Sequence, residues 1–93
     1  MSERWLKCEI HKGMFSDECA VSYDPAHGRR LSVFVSRSDV RFEGRNGGGE
    51  LFARPRPGQV RVRTFSEGTR VWAVLPAAEQ PCVPVQESDL QSH

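Results

Sequence analysis

Apolar and polar residues alternate along most of this chain, and no window keeps a helical period. In WLKCEI (5–10), Leu6, Cys8 and Ile10 point one way while Trp5, Lys7 and Glu9 point the other, the period of a half-buried strand. CAVSY (19–23) and RLSVFV (30–35) repeat the pattern on either side of DPAHG (24–28). There Pro25 presets a corner and Gly28 is free to take positive φ, so a tight turn is expected. QVRVRTF (59–65), TRVWAVLP (69–76) and PCVPV (81–85) are three further strands, the last sent to an edge or a bulge by Pro84. SRSDV (36–40) reads as a capped turn or a single 3₁₀ turn, because Ser and Asp side chains compete for nearby backbone donors.

The middle, residues 41–58, breaks the pattern. VRFE (40–43) and ELFA (50–53) are expected to pair as a hairpin arm across a tip made of Gly44, Gly47, Gly48 and Gly49. RPRPG (54–58) cannot donate ladder bonds at Pro55 and Pro57, which predicts an extended edge segment.

An internal likeness organises the rest. Residues 14–40 laid over 64–90 without a gap give seven identities in 27 positions. Phe15 and Ser16 fall on Phe65 and Ser66, Val33 and Val35 on Val83 and Val85, and Ser38 and Asp39 on Ser88 and Asp89. Upstream, Ile10 falls on Val60. This predicts a β-β-β-turn unit used twice, about 5–40 and 59–90, joined by 41–58. One such unit has a single apolar face and cannot bury it alone. The expected fold is therefore all-β, a small six-stranded barrel or sandwich of two pseudo-symmetric repeats, with Phe15 and Phe65 at opposite ends of one core.

Size fits that picture. The 93 residues make a single domain with a thin core, since 38% of them are hydrophobic. No apolar run approaches the length that spans a bilayer, and none follows Met1, so neither membrane insertion nor a signal peptide is expected. Cys8, Cys19 and Cys82 are odd in number and scattered, which is a poor disulfide framework and points to the reducing cytoplasm.

Charge is uneven although the net is only +1. Residues 29–63 carry nine arginines against Asp39, Glu43 and Glu50, while the flanking segments are acidic. In QVRVR, Val60 and Val62 face the core, so Arg61 and Arg63 line an outer face at strand spacing. Arg54 and Arg56 approach from RPRP, and Arg41 and Arg45 from the arm. Parity also places Trp5 and Trp72 off the core face. Exposed tryptophan and arginine are enriched at protein contacts, and a basic groove with a bare indole suits single-stranded nucleic acid.

Other motifs reduce to structure. Cys8, His11, Cys19 and His27 are four N/S ligands, the number tetrahedral zinc takes. They lack C-x-x-C or H-x₃₋₅-H spacing, and parity puts Cys8 and His11 on opposite faces. RNGGGE has no following Lys and leads into an extended segment, unlike a phosphate loop. The two Ser-Asp pairs have no histidine near them and cap turns, Val40 and Leu90 tucking back on the core. The expected protein is a non-enzymatic binding module without metal or cofactor. Its favoured ligand is a protein partner or a second copy, held by Trp5, Trp72 and the arginine face; the alternative is single-stranded RNA or DNA, with Arg54, Arg56, Arg61 and Arg63 on phosphates and Trp72 as the stacking platform.

Overall fold

Leu6 and Ile10 are fully buried, as the alternation of the first strand requires. The computed structural model describes residues 2–25, 28–43 and 54–92. Among them β1 (Ser2–Lys12), β2 (Glu18–Tyr23) and β3 (Leu31–Ser36) lead into a 3₁₀ turn, Arg37–Asp39, and a short β4 (Val40–Phe42). Then β5 (Arg56–Glu67), β6 (Arg70–Val74) and β7 (Cys82–Val85) lead into a second 3₁₀ turn, Glu87–Asp89, and a short β8 (Leu90–Ser92).

The fold is all-β. Six strands form a curled antiparallel sheet, an open half-barrel, in the order β3-β2-β1-β5-β6-β7. The two short strands attach beside this path, β4 to β5 and β8 to β1. Each long strand therefore carries one long neighbour and two partial ones. β1 pairs with β5 along Ser2–Ile10, and its other edge serves β8 near Trp5 and β2 near His11. β5 is arranged likewise, with β4 at Val60 and β6 from Arg63 onward.

This pairing puts four apolar residues in one row: Leu90 opposite Leu6, Leu6 opposite Val60, and Val60 opposite Val40. Around the row, Ile10, Cys19, Val21, Tyr23, Val35, Val62, Ala73, Leu75 and Val85 complete the core. Gly58 sits where β4, β5 and β1 converge, and a Cβ there would run into the Ile10 side chain and the Arg41 carbonyl. Close backbone approach is the usual reason for a glycine inside a strand. Gly68 opens the two-residue β5–β6 loop with φ of +63°, and Gly28 has φ of +112°.

Several sequence expectations change. VRF pairs with β5; the partner expected for it, 50–53, lies outside the described residues, as do Arg45 and the glycine tip. Arg56 and Pro57 are extended and pair with β1 on one side, just beyond the Gly58–Val60 stretch that pairs with β4 on the other. Pro57 is tolerated because its carbonyl accepts from the Glu43 N–H at 3.2 Å. In an antiparallel ladder a residue's donor and acceptor face the same neighbour, so the bond Pro57 cannot make lies just past the end of β4.

Phe15 and Phe65 are not equivalent. Phe15 stands 67% exposed in the β1–β2 turn, whereas Phe65 lies within β5 opposite Trp72. Ile10 does not occupy the place of Val60 either, because Val60 is paired with Leu6. The 3₁₀ turn after β3 is capped by Ser36, whose Oγ accepts from the Ser38 N–H at 3.3 Å, rather than by Ser38 or Asp39. Among the described residues no helix is long and apolar enough to cross a membrane.

Leu6→Ala is expected to cost about 2–5 kcal/mol in urea unfolding, the range for a buried leucine left as a cavity. Phe15→Ala should change stability by no more than about 0.5 kcal/mol, as for an open surface position.

Candidate functional site

The face of β1 and β5 turned away from the core carries the largest set of expected site residues. Two rows cross it. Gln91, Trp5 and Arg61 lie side by side over β8, β1 and β5, and Lys7, Gln59 and Arg41 lie beside them over β1, β5 and β4. Strand parity places all six opposite Leu6 and Val60, so the apolar row beneath fixes their spacing.

Trp5 is not the bare indole its parity suggested. It is only 8% exposed. The Arg41 guanidinium stands 4.2 Å from the ring centroid and that of Arg61 5.5 Å, within the range of cation–π attraction. Arg41 donates through Nε to Gln59 Oε1 and through Nη2 to Gln91 Oε1 at 3.3 Å. Arg61 donates through Nη2 to the Ser38 carbonyl at 3.1 Å, and its Nε stands 3.8 Å from Asp39 Oδ1. Both guanidiniums are thus held over the indole, Arg41 by glutamines of β5 and β8 and Arg61 by the first 3₁₀ turn, and Gln59 is itself buried at their base.

Arg63, two residues beyond Arg61 on β5, shares this face, and the other expected residues scatter. Arg63 is exposed and donates to Gln80 Oε1 at 3.3 Å. Trp72 is half-buried between Phe65 and Pro84 on neighbouring strands. Arg54 is exposed and Arg56 half-buried at the start of β5, away from Trp5. Sequence reading missed Gln59, Gln91 and Lys7. Their signal was outward parity beside Trp5 and Arg61, but only the β4–β5 and β8–β1 pairing brings them together.

Cys8, His11 and Cys19 do not gather into a metal-binding group. Among the described residues no group of three or more His, Cys, Asp or Glu is placed to hold a metal, and His27 lies outside them. His11 Nε2 is 3.1 Å from Ser22 Oγ and 3.2 Å from Glu9 Oε1. Burial, helped by Glu43 and Glu9, pushes the Cys8 thiol up to about 12, so it carries little thiolate near neutrality.

Tyr23 ties β2 to the second 3₁₀ turn. Its buried hydroxyl donates to Asp89 Oδ2 at 2.8 Å and accepts from the Gln86 N–H at 3.4 Å. Burial first, and then the Asp89 hydrogen bond, push its ionisation up to about 12 from the usual 10. A raised pKa means the folded state favours the neutral phenol. That contribution is whole below pH 10 and is lost as the pH climbs through 12. Tyr23→Phe should cost about 1–3 kcal/mol near neutral pH. In unfolding curves the gap between the two proteins should narrow from pH 10 to 12, while the loss from Cys8 ionisation stays common to both.

Comparison with protein-family models, with curated proteins and with solved structures finds no match to this chain.

Proposed function

We propose that this chain is a non-enzymatic binding module and that the outer face around Trp5 docks a protein segment rich in carboxylates. The observation that carries this reading is the pair of guanidiniums stacked over a buried tryptophan. Such arginines have already lost most of their rotamer freedom, so a carboxylate meets donors whose ordering is complete. On this face Lys7, Arg41, Arg61 and Arg63 stand with Glu3, Glu9 and Asp39, and Glu9 is already taken up by Arg30 at 2.8 Å, which favours an acidic partner. Nucleic acid is the weaker reading. A base needs an open ring to stack on, but Trp5 is buried, and Trp72, the stacking platform expected for it, is half-buried between Phe65 and Pro84. Several arginines are also engaged within the chain, Arg4 with Glu87 and Arg30 with Glu9 and Asp24. Three free cysteines suit a reducing compartment such as the cytoplasm.

The finer architecture belongs to the same proposal. A β-β-β-3₁₀-β unit used twice accounts for the two turns fifty residues apart, and for the way each short final strand crosses to the other unit's first strand. The pseudo-two-fold then runs through the Leu6–Val60 pair, and the match to Val60 is Leu6. Under that operation Trp5 corresponds to Gln59, so the indole is what makes one half of the outer face unlike the other.

Selection from a random peptide library is expected to enrich acidic sequences. Their affinity should fall about tenfold or more in a Lys7→Glu/Arg63→Glu variant, a loss of about 1.4 kcal/mol or more. Both positions are exposed, so the fold should survive. Enrichment without acidic residues, or affinity unchanged in the variant, would refute the reading. Binding of single-stranded RNA with a steep salt dependence would replace it with the nucleic-acid alternative.

A further inference from the structure

The sheet has two ends, and they are finished differently. β7 carries Pro84, a common way of blunting an edge. β3 carries neither proline, glycine nor charge over Leu31–Ser36, and among the described residues no strand covers its outer edge. Phe34, at its middle, is 49% exposed. Uncharged apolar edges of this kind are templates for another strand.

Which backbone groups are free follows from the register. β3 pairs with β2 through Cys19–Val35 and Val21–Val33, and one step beyond the ladder Arg37 N–H donates to the Asp17 carbonyl at 2.8 Å. Hydrogen-bonded and non-hydrogen-bonded pairs alternate in an antiparallel ladder. The odd residues of β3 are therefore bonded to β2, and the amides and carbonyls of Ser32, Phe34 and Ser36 point outward along the free edge. A groove of about 270 Å³ lies against this strand, between Ser32, Val33 and Phe34 on one side and Ala77, Ala78 and Glu79 on the other.

The sequence of the edge identifies its occupant. Residues 32–36 read Ser-Val-Phe-Val-Ser, a palindrome centred on Phe34. A two-fold axis at Phe34 would pair the strand antiparallel with itself, Phe34 on Phe34, Ser32 on Ser36 and Val33 on Val35. Each outward-pointing residue then meets another outward-pointing residue and can exchange both ladder bonds. Like side chains also fall opposite each other in favourable kinds, aromatic on aromatic and hydroxyl on hydroxyl. On the inner face Val33 and Val35 would continue the core of one half-barrel into the next. Isologous pairing is the usual form of a homodimer contact.

We propose that the free edge of β3 is a self-association site whose occupant is β3 of a second copy of this chain, joined in register about Phe34. The contact is separate from the Trp5 face and does not depend on its ligand.

Sedimentation or light scattering of the full chain should give a mass rising towards twice that of the monomer as concentration reaches the submillimolar range. Phe34→Lys places like charges opposite each other at the axis and is expected to leave a folded monomer. In a Cys82→Ser background, Phe34→Cys should form an intermolecular disulfide on mild oxidation, because facing hydrogen-bonded positions sit about 5.5 Å apart at Cα, inside the bridging range. Phe15→Cys, at the exposed turn, should not. A wild-type monomer throughout would overturn the proposal. So would a dimer that persists in Phe34→Lys, or one in which Phe34→Cys fails to cross-link, since the contact would then lie elsewhere.

Discussion

Four apolar side chains, Leu90, Leu6, Val60 and Val40, stand in one row across β8, β1, β5 and β4, and both faces of the molecule are set by that crossing. Beneath it the row joins the ends of the chain to its middle, so neither half can bury its apolar face without the other. Above it, the same pairing decides that Trp5 lies beside Arg61 and Gln91, and that Gln59 lies beside Arg41. The arginine stack over the indole is a consequence of strand register. A slip of one residue would turn every one of these side chains to the opposite face.

The crossing is strong because β1 and β5 are long. Strands of eleven and twelve residues offer edge enough for two partners each, a long one and a short one. The short partners bring charged turns with them. Arg4 of β1 pairs with Glu87 of the second 3₁₀ turn at 2.7 Å, and Arg61 of β5 faces Asp39 of the first. Exposed ion pairs add little stability singly, so their effect here is orientation. The buried Tyr23–Asp89 bond adds a lock between β2 and the last 3₁₀ turn.

Much of this was legible in the sequence, and the failures have physical causes. Alternation located the six strands of the main path and the parity of Val60, Val62, Arg61 and Arg63, because a period of two is written directly in side-chain order. Parity says which face a side chain leaves from but not what covers it, so Trp5 read as exposed. Its cover comes from Arg41, whose position depends on β4 choosing β5, a pairing that no local pattern specifies. The Phe-Ser-acid match misled for a different reason. Ser and acidic residues recur at turns because they bond their own backbone, as Glu18 does in accepting from the Met14 N–H at 3.0 Å. The later match at Ser38–Asp39 and Ser88–Asp89 did fall on two like turns.

Native-state hydrogen exchange resolved by residue tests the central crossing most directly. If the Leu90–Leu6–Val60–Val40 row holds the fold together, the amides at the centre of β1 and β5 exchange last, and only through global unfolding. Those of β3 and β7, at the ends of the sheet, exchange earlier through local opening. Exchange at the centre of β1 or β5 before the β2–β3 or β6–β7 hairpins would contradict the account, because each half would then be holding itself without the strands that join them.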